Sequence, residues 1–387
     1  MSDVRVAGVG MTAFGASPER TGRDLFAEAA DVALTDAAVP RTDVEALRYG
    51  NFMGELAEHQ GHQGPLMAEA AGVQAPATRY ESACASSAAA IRDAVVAIRN
   101  GETDVCLVGG AERMTNLGTA GATEALAIAA DDLWEVGTGA TFPGVYGLIA
   151  TAYFETYGGS REDLAHVAVK NHDNALENEK AQYQRAISVE EVLAAPPVSE
   201  PLGLYDCCPI SDGAAAAVLV SEAYAEAHDL DAPVAITGTG QGGDRMALAD
   251  REHLARTPAA TDAATEAYAD AGVGAGDVAA FEVHDCFTIA EVLAIESLGV
   301  APTGEGITAA RDGLTTADGA MPVNLSGGLK AKGHPVGATG ASQIVELTRL
   351  LRGDHPNSGA VDGDVAVAHN AGGTVASCVV HVLEVTA

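Results

Sequence analysis

Cys84 stands in RYESACASSAAAIRDAVVAIRNG, where a turn of small polar residues runs into an apolar-periodic helix from about residue 85. Unpaired N–H groups and the positive end of the dipole at a helix start favour a thiolate, the reactive form of the side chain. Taken alone, the residue reads equally well as a nucleophile or as a small core thiol. A second cluster, FEVHDCFTIAE, closes an apolar run with His284, Asp285, Cys286 and Phe287 and then opens a helix. Ligands in open α/β sheets bind just outside the carboxyl ends of strands, which is where such a crowd of polar groups belongs. A hydrogen-bonded core histidine beside an inert thiol is the alternative.

His334 lies in NLSGGLKAKGHPVGATGASQ among Gly327, Gly328, Gly333, Gly337 and Gly340, again ahead of a helix. Glycines let a backbone approach a ligand closely, although neither the dinucleotide fingerprint nor the GxxxxGKS/T phosphate loop is matched. His369 and Asn370 end another apolar run and lead into Ala371, Gly372 and Gly373, a turn able to aim backbone N–H groups at an oxyanion, or simply a tight turn. The Cys207-Cys208 pair invites a metal or vicinal-disulfide reading, but the apolar strand that follows favours a structural turn. His59 and His62 in HQGHQ lack acidic or Cys partners and fit a surface helix. Cys106 and Cys378 sit inside apolar runs and read as core. No cysteine spacing points to zinc or to a secreted disulfide scaffold, so no metal is expected.

The elements that must position these residues occur twice. VRVAGVG at 4–10 returns as VAITGTG at 234–240, and each is followed by an alanine-rich helical stretch and an Asp-Val signal opening a further apolar run. DVCLVGGA from Asp104 and DVAVAHNAGG from Asp364 follow helices that end alike, in AIRNG and RLLRG. Two strand-helix-strand-helix-strand units are expected, their buried strands covered by helices on both faces. Between them, residues 117 to about 211 carry helical stretches, the only Trp (Trp134) and the turn APPVSEP, a composition that suits an inserted lid or substrate domain. The expected division is 1–116 with about 212–230, then 117–211, then 231–387.

A length of 387 residues with 48% hydrophobic and 19% charged side chains permits a large α/β core and gives no sign of disorder. Acids number 54 against 21 Lys and Arg, a net charge of −33, which argues against nucleic acid as a partner. Only Lys170, Lys180, Lys330 and Lys332 represent lysine. Acid-rich, lysine-poor chains resemble those of salt-adapted cytoplasms, where concentrated ions screen self-repulsion. No segment approaches ~18 consecutive apolar residues, and the opening MSDVRVAGVG is no signal peptide, so a cytoplasmic protein without membrane spans is expected.

Taken as a set, SACASS at the nucleophile, HDCF, GHPVGATG after NxSGG, and HNAGG resemble the thiolase superfamily over essentially the whole chain. Within it the chain is most similar to the branch of archaeal acetoacetyl-CoA thiolases and sterol-carrier-protein-type thiolases. The resemblance implies an α/β duplicated thiolase fold, two similar βαβαβ-type halves packed in layers with an inserted loop domain. It implies no cofactor, with coenzyme A thioesters as substrates, and a homodimer or dimer of dimers. A small zinc-ribbon/OB-fold protein and hydroxymethylglutaryl-CoA synthase are implied as partners. Ordinary thiolases carry Asn-Glu-Ala-Phe where this chain has His284-Asp285-Cys286-Phe287, and Cys-x-Gly where it has His369-Asn370-Ala371. The resemblance therefore gives Cys84 the nucleophile's role, His334 the base's, and Cys286 the second acid/base role. His284 assists at the enolate oxygen, and the N–H groups of Cys84 and Ala371 hold the oxyanion. His369, Asn370, Phe287 and Gly372 line the site. Acetyl-CoA condensation feeding isoprenoid or polyhydroxyalkanoate synthesis is the expected use. Rival expectations are another condensing enzyme of the superfamily, of hydroxymethylglutaryl-CoA synthase or ketoacyl synthase type, and an acyl-CoA-binding subunit active only in a complex.

Overall fold

The two apolar runs that resemble each other most, β1 (Val4–Met11) and β8 (Val234–Gly243), meet at the centre of one sheet. A computed structural model describes residues 4–386. The remaining strands are β2 (Ala46–Gly50), β3 (Ala77–Tyr80), β4 (Val105–Glu112), β7 (Gly213–Ser221), β9 (Ala280–Glu282), β10 (Val365–Gly372) and β11 (Ser377–Val385). Their order is β3-β2-β4-β7-β1-β8-β11-β10-β9, while β5 (Pro197–Ser199) and β6 (Leu202–Gly203) form a separate hairpin. Outward from the β1–β8 contact, each half repeats two antiparallel pairings and then a parallel one. The duplication is thus present in the topology. Only the first half continues to a further strand; at the matching place of the second, Val323 makes an isolated parallel bridge to Phe281.

Burial explains the layering. Helices Ser86–Arg99 and Thr339–Arg352 share one core, in which Ile91, Val95 and Ile98 meet Ile344, Leu347 and Leu350, together with Val108 of β4 and Ala368 of β10. Truncating a residue such as Ile344 there to Ala would cost about 2–5 kcal/mol. On the outer face, helix Gly22–Asp36 packs Leu25, Phe26 and Ala29 on the first half, opened by a capping box between Thr21 and Asp24. Helix Pro258–Ala271 buries only alanines against the second half. A Cβ at Gly242 of β8 would fall on the carbonyl of Ala259, so small residues on both sides set the close approach of strand and helix.

Residues 117–211 add no strand to the main sheet. Helix Phe142–Tyr157 in this stretch packs Tyr146, Ile149 and Tyr153 on Phe287, Ile289 and Leu293 of the second half. The HQGHQ segment differs from the surface helix expected of it: His59 and His62 are exposed, but both adopt left-handed backbone in a loop ahead of helix Gln63–Ala71. Gly61 within that segment disfavours helix there.

Candidate active site

Five of the predicted residues lie at or just beyond strand ends. Cys84 comes four residues after β3 and two before helix Ser86–Arg99, and its neighbour Ala83 is held in left-handed backbone. Such a conformation is costly for a side chain with a Cβ and points to a turn fixed by its surroundings. His284 and Cys286 follow β9, and His369 and Asn370 lie near the end of β10, its parallel neighbour. The carboxyl ends of these strands open on one region, as open α/β sheets require.

His334 reaches the same region from a clamped loop. Asp285 accepts hydrogen bonds from the N–H groups of Leu329 (2.6 Å) and Lys330 (3.1 Å) and from Asn171, holding the π-helical turn Gly328–Lys332. The N–H of His334 donates to Ser211 Oγ at 3.0 Å. Glu112, at the end of β4, accepts from the N–H groups of Phe52, Met53 and Gly337 and from Asn51, tying the loop to the first half. Burial raises its carboxyl to about 7. The glycines of this loop approach protein rather than ligand: a Cβ on Gly340 would lie 2.5 Å from the Ala88 nitrogen, and one on Gly337 2.6 Å from Asn51 Cα.

The sulfur of Cys84 and one ring nitrogen each of His284 and His334 all lie within 4.8 Å of one another. The two imidazoles meet edge to face, with centroids 5.0 Å apart. Hydrogen bonds assign their tautomers. Thr339 Oγ1 donates to the Pro335 carbonyl (3.0 Å), so it accepts from His334 Nδ1 (2.7 Å), leaving His334 Nε2 as a bare acceptor. Asn370 Nδ2 donates to His284 Nδ1 at 3.0 Å, so His284 Nε2 carries a proton and has no partner within the protein. The site therefore offers one acceptor and one donor beside a thiol. A Cys-His-His set could also ligate a divalent ion, but a protonated His284 Nε2 does not suit that use. His369 Nδ1 accepts from the His284 N–H at 3.3 Å and so anchors the backbone of the same residue.

Burial sets the charge state. It holds His334 down to about 3 and His369 to about 4. His284 falls well below the usual range, through burial first and then the neighbouring His334 and His369. Burial likewise pushes the Cys84 thiol up to about 12, against a hydrogen bond from the Gly373 N–H that pulls the other way. The resting pair is thus a neutral thiol and a neutral imidazole. A thiolate was expected from the helix start; desolvation of a fully enclosed sulfur outweighs the dipole.

Cys84, Cys286, Phe287, His334 and Gly373 line a single cavity of about 500 Å3. The two sulfurs separated by some two hundred residues therefore open on the same space. Burial, with Cys208 and Cys84 adding to it, keeps the Cys286 thiol well above its ordinary value. Ala371 lies within β10, paired with Cys378 of β11. The N–H of Gly373, two residues further on, and the N–H of Cys84 itself are directed at the Cys84 sulfur. Gly372 abuts Ser82, where a Cβ would sit 2.5 Å from the carbonyl oxygen.

Two features escaped the sequence reading. Cys207 and Cys208, expected in a turn, do precede β7, yet both line the cavity, and the Cys208 N–H donates to the Cys286 carbonyl at 3.0 Å. This short segment also bridges Phe287 and His334, fastening both reactive loops. Tyr146, fully buried, stacks on Phe287 at 4.5 Å, donates to the Gly373 carbonyl at 3.1 Å and places its hydroxyl against the Cys286 sulfur. Vicinal cysteines ahead of a strand were a visible signal for the first; a tyrosine inside an apolar helix gives almost none.

An enclosed cysteine thus meets two imidazoles near a second cysteine, in a duplicated α/β fold. The thiolase N-terminal domain family matches residues 4–223 and the thiolase C-terminal domain-like family residues 240–385, so the chain belongs to the thiolase family and is an acyltransferase. It is 41% identical over 383 residues, 99% of both chains, to the acetyl-CoA acetyltransferase of Methanothermobacter thermautotrophicus. It is 32% identical to human sterol carrier protein 2, covering 95% of this chain and 70% of that one. Among solved structures the Ltp2-ChsH2(DUF35) aldolase superposes with a TM-score of 0.83 at 26% identity, covering 99% of this chain and 98% of that one. Among the described residues no helix is long and apolar enough to cross a membrane.

Proposed function

We propose that this chain is an acetyl-CoA C-acyltransferase, which condenses two acyl-CoA thioesters or, in reverse, cleaves a 3-oxoacyl-CoA by thiolysis, through an acyl-Cys84 intermediate. The observation that carries the reading is the convergence of Cys84, His284 and His334 within 4.8 Å on a cavity that Cys286 also lines. His334 Nε2 takes the Cys84 proton as the sulfur attacks the thioester carbonyl, and N–H groups of the 371–373 turn face the developing oxyanion. His334 returns that proton to the departing CoA sulfur, and Cys286 stays a thiol. As the second acyl-CoA binds, His334 Nε2 takes the Cys286 proton, giving a Cys286 thiolate and a His334 imidazolium. The thiolate removes an α-proton from the second acyl-CoA, while the N–H groups of His284 and His334 receive the enolate oxygen. The carbanion attacks the acyl carbon, and the Cys84 sulfur leaves with the proton returned by His334. Protons balance over the cycle, and an acyl group moving from sulfur to sulfur loses little activation.

Residues 117–211 serve in this reading as the lid over the acyl chain, since Phe142, Pro143 and Tyr183 complete the cavity wall. The acetyl-CoA acetyltransferase relative supports short acyl groups, with isoprenoid or polyhydroxyalkanoate precursors as the use. A homodimer or dimer of dimers is the proposed assembly. The name of the Ltp2-ChsH2(DUF35) aldolase joins two components, which favours a further reading in which a small partner, of zinc-ribbon/OB-fold type, is needed for activity. Mass spectrometry after incubation with acetyl-CoA tests the mechanism. Wild type and Cys286→Ala should gain one acetyl group on Cys84, Cys84→Ala none, and only wild type should condense. A stable acetyl adduct on Cys84→Ala would falsify the assignment.

A further inference from the structure

We infer that Tyr146 is a positioning residue for the second half-reaction, its hydroxyl turning from the Gly373 carbonyl to the Cys286 sulfur when that sulfur becomes a thiolate. The inference rests on the proposed role of Cys286. Tyr146 is completely buried, its ring stacked on Phe287 at 4.5 Å with an interplanar angle of 25°. This stack leaves the side chain one direction in which to point. Its O–H donates to Gly373 O (3.1 Å), and its side chain packs in the same buried cluster as Cys286. A phenol has one proton to donate and two lone pairs. Facing a thiol, it can donate to the carbonyl and accept the S–H; facing a thiolate, it can donate to sulfur without moving its ring.

The acyl-enzyme demands such a donor. Cys286 must carry negative charge to remove the α-proton, in a place where burial opposes charge. Cys208, Cys84 and Asp285, all nearby, disfavour a thiolate. Tyr146 is the one that favours it. Gly373 couples this arrangement to the nucleophile, because its N–H bonds the Cys84 sulfur while its carbonyl holds the waiting tyrosine.

Tyr146→Phe keeps the ring and removes only the donor. Acetylation of Cys84, followed by mass spectrometry, should proceed as in wild type. Condensation, and exchange of the acetyl α-protons of acetyl-CoA with D2O, should each slow roughly 10- to 100-fold, the range of a hydrogen bond to a charged partner. Tyr146→His, which restores a ring donor, should recover part of that loss. Exchange and condensation at wild-type rates in Tyr146→Phe overturn the inference, as does equal loss of acetylation and condensation, which would make the residue mere support. Cys286→Ala assayed alongside separates the two levels. If that variant condenses normally, the reading of Cys286 is wrong; if it fails while Tyr146→Phe behaves as wild type, only the role of Tyr146 falls.

Discussion

Thr339→Val should slow acylation of Cys84 without disturbing the fold. Thr339 is 1% exposed, and its hydroxyl accepts from His334 Nδ1 at 2.7 Å while donating to Pro335 O at 3.0 Å. Valine fills the same volume but offers neither atom. The His334 Nδ1–H is then left buried without an acceptor, at a cost of about 1–3 kcal/mol, which the ring escapes by turning or by moving the proton to Nε2. Either escape removes the acceptor that must take the Cys84 proton. A penalty of about 1.5–3 kcal/mol on that step is roughly a 10- to 150-fold slower acylation. Rapid-quench mass spectrometry of acetyl-Cys84 measures it, with iodoacetamide alkylation of Cys84 slowing in parallel and KM for acetyl-CoA little changed. Thr339→Ser, which keeps the hydroxyl, should stay near wild type. Acylation by the valine variant within about twofold of wild type would show that the threonine does not govern the tautomer.

Two further outcomes are expected. Because burial holds His334 near 3 and Cys84 near 12, both groups stay neutral between those values, and single-turnover acylation should be flat from about pH 5 to 9; a limb near the ordinary imidazole or thiol range would contradict the neutral pair. With a net charge of −33, surface self-repulsion should ease as salt screens it, so the melting midpoint should climb from low to molar KCl; a midpoint indifferent to salt removes the salt-adapted reading.

What the sequence disclosed was local, and what it hid was set by tertiary contact. Cys84 and His334 stand where a turn opens a helix, and the HDCF cluster and the HNAGG turn stand at the ends of apolar runs, so each is visible as a local pattern. Which backbone N–H groups would face the sulfur could not be read, because tertiary contact sets the path of the chain past the end of β10, where Gly373 turns its N–H to Cys84. Charge state was hidden for the same reason: a helix start is visible in sequence, but the enclosure that keeps Cys84 a thiol is assembled from distant segments. The lysines show it most sharply. In a chain with four, Lys170, Lys330 and Lys332 are all buried, Lys170 paired with Glu291 at 2.6 Å and Lys332 lying 3.6 Å from Glu346. Composition read lysine scarcity as a property of the surface, yet most of the few that remain hold the interior around the reactive loops.

The duplication explains why Cys84 and His334, from opposite halves of the chain, meet. Each half contains a helix that enters the central layer and leads to an equivalent strand, Ser86–Arg99 before β4 and Thr339–Arg352 before β10. Cys84 sits in the turn that opens the first helix, His334 in the turn that opens the second. Pairing the halves through β1 and β8 brings the two helices into one core, with Gly340 permitting contact against Ala88 near both openings. Two copies of one helix start, related by the symmetry of the sheet, thereby become unlike partners: one was given a sulfur and the other an imidazole. A larger residue at Gly340 would separate those openings and strand the thiol from its base, even though neither reactive side chain had been touched.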